Sequence, residues 1–140
     1  MKKRNVIFLI ALFVITIFGC KPRAPYDIVR IEGTVTYDGK PLSPNFTLRF
    51  RPENGWNEST GFIKENGRFT TIHTVDIDGV PTGKCTVRVQ WNGSDAPIPI
   101  PPPAEFQPLV KKYGFQSEGL PIEIIKKDLN LKIDFPASPK

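Results

Sequence analysis

Lys84-Cys85-Thr86-Val87-Arg88-Val89-Gln90-Trp91 sets an apolar side chain at every second position. Cys85, Val87, Val89 and Trp91 fall on one side and Lys84, Thr86, Arg88 and Gln90 on the other. That is the period of a half-buried strand, because successive side chains of an extended chain point to opposite faces. The pattern recurs in both directions from this segment. Phe46, Leu48 and Phe50 alternate with Thr47, Arg49 and Arg51. Val29, Ile31, Gly33, Val35 and Tyr37 alternate with Arg30, Glu32, Thr34 and Thr36. Downstream, Leu120, Ile122 and Ile124 form one apolar row, and Leu129, Leu131, Ile133 and Phe135 form another. Residues 61–64 and 68–72 read as two further short strands joined at Glu65-Asn66-Gly67, and Asp38-Gly39 supplies another tight turn. About seven strands, each with one apolar face, predict an all-β domain. The expected architecture is two antiparallel sheets packed face to face, a β-sandwich, following an N-terminal signal helix.

The segment between the fifth and sixth strands, residues 92–119, is long for a connection in a compact domain. It contains Pro97-Ile98-Pro99-Ile100-Pro101-Pro102-Pro103, which favours an extended polyproline II path. A proline-rich insertion is assigned to 95–108. Residues 106–113 are expected to form a short helical turn packing Leu109, Val110 and Tyr113.

The chain opens with Lys2, Lys3 and Arg4, followed by a 13-residue apolar run, 6–18, in which Thr16 is the one polar residue; Gly19 and Cys20 come next. A basic start, an apolar stretch and a small residue before a cut is the order of a secretory signal. As a helix the run would reach only about 20 Å, short of the roughly 30 Å hydrocarbon core of a bilayer. Ile17-Phe18-Gly19-Cys20 resembles the bacterial lipobox. The resemblance implies cleavage before Cys20, a diacylglycerylated thiol and an acylated amine. The expected division is 1–19 signal peptide, 20–27 lipidated linker and 28–136 β-sandwich.

Removal of 1–19 leaves 121 residues, enough for one domain with its own core. Three of the 19 basic residues leave with the signal, so 16 remain against 14 acidic ones, a formal +2. These charges are scattered, which argues against a nucleic-acid partner. Cys85 is then the one remaining thiol, and it is expected to be a buried small hydrophobe.

The ordered motifs 33–42, 50–52, 65–69 and 81–89 resemble those of carboxypeptidase regulatory-like domains. In this sequence they read Gly-Thr-Val-Thr-Tyr-Asp-Gly-Lys-Pro-Leu, Phe-Arg-Pro, Glu-Asn-Gly-Arg-Phe and Pro-Thr-Gly-Lys-Cys-Thr-Val-Arg-Val. Lys112-Tyr113 followed by Gly119-Leu120 resembles the tail of small bacterial lipoproteins of this type. The resemblance spans about 28–135 and implies a transthyretin-like (prealbumin-like, Ig-like) sandwich. Cys85 departs from it, standing where the family has Tyr.

No enzyme site is expected: catalytic residues, metal ligands and cofactors are all assigned as none. His73, the one histidine, is expected at the surface or at a strand edge, since no nucleophile motif accompanies it. Asp76-Ile77-Asp78-Gly79 lacks the distal ligands of a calcium loop and reads as a turn. Trp56, in the polar loop Asn54-Gly55-Trp56-Asn57-Glu58, is the candidate ligand contact, able to stack on a sugar or anchor a partner. The expected function is that of a non-enzymatic structural or interaction lipoprotein of the bacterial cell envelope, held in the outer membrane by lipid at Cys20. An envelope protein or a glycan is the expected partner. The alternative is a carbohydrate- or peptide-binding module using Trp56 together with the proline-rich segment.

Overall fold

The computed structural model describes residues 27–126 and 130–137. The expected signal segment, Cys20, the expected linker up to residue 26 and Leu129 lie outside the described residues. The elements run β1 (Ile28–Val29), β2 (Glu32–Tyr37), β3 (Lys40–Pro41), β4 (Phe46–Pro52), β5 (Ser59–Ile63), β6 (Arg68–Thr74), β7 (Ile77–Asp78), β8 (Val80–Pro81) and β9 (Gly83–Trp91). They continue with helix α1 (Gln107–Tyr113), β10 (Leu120–Ile124) and β11 (Asn130–Phe135). Among the described residues the protein is predominantly β, as the alternation predicts. The strands of five or more residues are β2, β4, β5, β6, β9, β10 and β11, and β1, β3, β7 and β8 are two-residue additions.

The seven longer strands form one hydrogen-bonded path, β10-β9-β4-β5-β6-β2-β11, with β3 paired to β2 and β7 to β6. A separate two-stranded ribbon joins β1 to β8. Pairing along the path is antiparallel up to its last step, where β11 runs parallel to β2, with Asn130 opposite Glu32 and Phe135 opposite Tyr37. The expectation of antiparallel pairing throughout therefore fails at this one strand. The reason is connectivity: β10 ends, and β11 begins, at the same end of the sheet.

That connection also bends the sheet. Ile124 and Asn130 lie on opposite edges of the path and are six residues apart in sequence. Six residues reach at most about 22 Å. Seven flat strands would hold the two edges about 29 Å apart at 4.8 Å per spacing. The sheet has to curl, and its concave face becomes the core.

The inward residues are those the alternation marks. Val35, Phe46, Leu48, Phe50, Val87, Val89, Ile133 and Phe135 are buried, together with Ile31, Leu42, Phe69 and Ile124. Rings meet across the core: Phe50 and Phe69 have centroids 6.0 Å apart, and Phe46 and Trp91 4.9 Å. The convex face is largely polar, apart from Phe62 and Ile72, with Arg49 Nε donating to Gln90 Oε1 (3.0 Å) and Nη1 to Thr60 Oγ1 (2.9 Å). Both expected tight turns have left-handed central residues, Asp38 and Gly39 in one and Asn66 and Gly67 in the other. The first is pinned to β11, because Asp38 N–H donates to Phe135 O (3.0 Å) and Gly39 N–H to Asp134 Oδ1 (3.1 Å).

The long connection closes one end of the curled sheet. Trp91 Nε1–H donates to Ile100 O (2.6 Å), and Ile100 N–H donates to Gly93 O (3.0 Å). Phe106 then wedges against Phe46 (5.2 Å) and Tyr37 (6.3 Å). The expected helical turn is α1, with Pro108 in its first turn, where a missing N–H costs no hydrogen bond. It buries Leu109 and Tyr113 and partly buries Val110. Tyr113 packs at a tilt against Phe135 (centroids 5.0 Å apart) and donates from Oη to Pro136 O (3.0 Å), so α1 bridges from β9 to the end of β11.

Gly33 marks the tightest point of the parallel pair. A Cβ there would fall on the carbonyl oxygen of Leu131 and 2.9 Å from Phe69 Cε1. Gly33→Ala is expected to lower the stability by about 3 kcal/mol, the upper part of the range for overpacking a filled site. Urea unfolding should show the reduced midpoint, and hydrogen exchange should show β11 amides losing protection first.

Candidate functional site

The strand registers give the curled sheet two distinct ends. At one end, Ile124 pairs with Gly83, Cys85 with Pro52, Phe50 with Ser59, Thr60 with Ile72, and Glu32 with both Thr70 and Asn130. The chain enters at this end. Thr82 N–H donates to Asp27 O (2.9 Å), the Asp27 carboxylate pairs with Lys126 Nζ (2.7 Å), and β1 lies against β8. At the other end, Trp91 pairs with Phe46, Ile63 with Phe69 and Tyr37 with Phe135, beneath the proline strap and α1. We refer to these as the entry end and the far end.

A buried polar group lies under the entry end. Ser59 Oγ and His73 Nδ1 are 2.8 Å apart, and both side chains are buried. Beside them Thr71 Oγ1–H donates to Ile31 O (3.0 Å). The expectation of a surface or edge histidine is corrected here. β6 continues two residues past its predicted end, to Thr74, so His73 takes the next inward position after Phe69 and Thr71. Ser59 escapes the sequence reading, because the apolar alternation of β5 begins at residue 61. Extending the inward positions Ile63 and Gly61 back by two residues reaches it. Burial disfavours the charged imidazole, so the His73 pKa is pushed below its ordinary value. The pair acts as a cross-strand polar contact of the inner face. A serine nucleophile would need an approach path for substrate, and Ser59 has zero exposure.

Trp56 lies in the loop joining β4 to β5, at the entry end, and is half-buried, with its backbone N–H donating to Asn54 Oδ1 (3.3 Å). The proline-rich segment lies at the far end. Phe46 and Pro52, the first and last residues of β4, separate the two features by six residues, or about 20 Å of strand. Trp56 and the prolines therefore do not form one site. The strap is nevertheless exposed between its pinned ends: Ile98 is 81 % accessible, and Pro97, Pro99, Ile100, Pro101 and Pro103 are also exposed.

Cys85 is buried between β4 and β10. Its pKa is pushed up to about 12, first by burial and then by the negative charge of Glu53. It is an inert thiol, as its place in the alternation implies. Asp76 and Asp78 are exposed at the β6–β7 turn, and among the described residues no group of three or more His, Cys, Asp or Glu side chains is arranged to hold a metal ion. A depression of about 870 Å³ opens beside β2 and β6, with Glu32, Lys64, Glu65 and Arg68 on its walls. Its charges are of both signs, and it contains neither His73 nor Trp56. No described helix is long and apolar enough to cross a membrane. Comparison with protein-family models, with curated proteins and with solved structures finds no match.

The lowered His73 pKa gives stability a definite pH dependence. As pH falls below the ordinary histidine range, near 6.5, the unfolded chain takes up the proton before the folded one does. Stability contributed by the neutral imidazole is therefore full above that range and declines through the interval down to the folded pKa. Unfolding free energies measured from pH 7.5 to 5.5 should decrease for the wild type, and His73→Asn should remove that component of the slope.

Proposed function

We propose that the chain is a non-enzymatic lipoprotein of the bacterial cell envelope, anchored by acylation of Cys20 and serving as a structural or interaction module. The observation that carries this reading is Ile17-Phe18-Gly19-Cys20 at the end of a basic-then-apolar leader. Two or three acyl chains, at about 0.8 kcal/mol per buried CH₂, make such an anchor effectively stable. Lys21 follows the cysteine where many inner-membrane lipoproteins have Asp, which favours the outer membrane.

The same proposal takes the curled sheet as a transthyretin-like sandwich of the carboxypeptidase regulatory-like type. Supporting it, 33–42 forms β2 and its turn into β3, 65–69 leads into β6, and 81–89 spans β8 and β9. The concave faces of β4 and β9 on one side, and of β2, β6 and β11 on the other, supply the two halves of the core.

Cys20→Ala is the direct test. Intact mass of the membrane-extracted wild type should show an N-terminus at residue 20 carrying acyl mass. The variant should lack that mass and lose the acylated, membrane-held form. A wild-type protein without acyl mass would end this reading.

A second reading, favoured by the exposed strap held at Ile100, is that the far end docks an envelope protein through its proline-rich segment. Its prolines fix φ, so the segment has little backbone entropy to lose on binding. Ile98→Ser with Ile100→Ser should leave the thermal midpoint nearly unchanged, since both side chains are exposed. It should also abolish co-purification of that partner from envelope extract. Unaltered co-purification would reduce the strap to a cover.

A further inference from the structure

We infer that the entry end of the sheet is a lipid-contacting rim, which seats the domain against the bilayer that holds its anchor. The inference rests on the Cys20 reading and adds a surface to it. Chain length supplies the first argument. Cys20 precedes Asp27 by seven residues, a contour of at most about 25 Å. Asp27 is held to the sheet by its carbonyl on Thr82 and its carboxylate on Lys126. The anchored thioether is thus confined to the neighbourhood of this end, and the far end lies beyond the nine-residue length of β9, about 26 Å further away.

The chemistry of the rim supplies the second argument. Val75, between β6 and β7, is 99 % accessible, although a β-branched aliphatic side chain gains from leaving water. Ile125, directly after β10, is 49 % accessible, and Ile77 in β7 is also exposed. These residues extend beyond the same end of different strands, and the half-buried Trp56 lies in the loop between them along the sheet path. Aliphatic side chains with a tryptophan suit the boundary between headgroups and acyl chains, where an amphipathic ring is favoured. The charges around them are mixed: Lys84 and Lys126 are opposed by Glu53, Asp76, Asp78 and Glu123. The rim carries more acidic than basic groups, so contact is driven by apolar insertion, and anionic lipid should not strengthen it.

Site-specific labelling tests this on the acylated protein. Cys85 is buried and Cys20 is blocked by lipid, so Val75→Cys, Ile125→Cys and the far-end control Ile98→Cys each present one reactive thiol at an exposed position. Each is labelled with an environment-sensitive fluorophore and placed in phosphatidylcholine vesicles, with and without phosphatidylglycerol, containing a spin-labelled quencher lipid. Labels at 75 and 125 should be quenched at least threefold more than the label at 98, in both compositions. Equal quenching at the three positions, or greater quenching at 98, overturns the rim. So does shielding of 75 and 125 that rises with protein concentration in the absence of vesicles, which would indicate a second copy there. Intact mass of the same samples separates the two ideas. Acylated protein without differential quenching removes the rim and leaves the anchor, whereas absence of acyl mass removes the anchor on which the rim rests.

Discussion

A short covalent connection governs this structure. β10 and β11 occupy opposite edges of one hydrogen-bonded path, and six residues of chain have to span from Ile124 to Asn130. No flat sheet of seven strands satisfies that distance. Curling satisfies it, and it also brings the apolar faces of all seven strands to a common interior. The parallel alignment of β11 with β2 follows from the same restriction, because the chain returns at the end it has just left. Gly33 is the local cost of the arrangement: the parallel partner passes where any side chain would stand.

Curling leaves two open ends, and the protein treats them differently. The far end is stoppered by apolar material: Phe106 against Phe46 and Tyr37, Leu109 within the core, and Tyr113 against Phe135. The entry end is closed by backbone pairing between β1 and β8, with a polar layer beneath it in which Ser59, Thr71 and His73 satisfy one another or the main chain. Buried polar groups of this kind are tolerable when each has a partner. Within this layer, burial favours the neutral form of His73.

Much of the fold is legible in the sequence, because the period-two pattern is a direct record of burial. Cys85 to Trp91 and Phe46 to Phe50 read correctly residue by residue, since each sits between two paired strands and has one fully covered face. The strand ends are less legible. Ser59 and His73 are polar, so an eye tuned to apolar alternation stops at residue 61 and at Ile72 and misses the pair they form. The direction of β11 is invisible to the pattern, because a strand alternates in the same way whether its neighbour is parallel or antiparallel. The site assignments suffer for a related reason. Trp56 and the prolines are both eye-catching in one dimension, and only the registers reveal that a whole strand lies between them. Nothing in an alternation pattern carries that distance.

The strap has a further consequence in the hydrogen-bonding capacity of its backbone. Between residues 97 and 103 only Ile98 and Ile100 possess an N–H, and that of Ile100 is committed to Gly93 O. The carbonyls remain, so this stretch accepts hydrogen bonds and offers almost none. It cannot serve as a template for another strand, which needs donors and acceptors in alternation. Under the anchoring proposed at Cys20, molecules held at one surface would meet their neighbours at high local concentration. A far end that is apolar yet unable to extend a neighbour's sheet can be displayed there without seeding the edge-to-edge pairing to which β-rich proteins are prone.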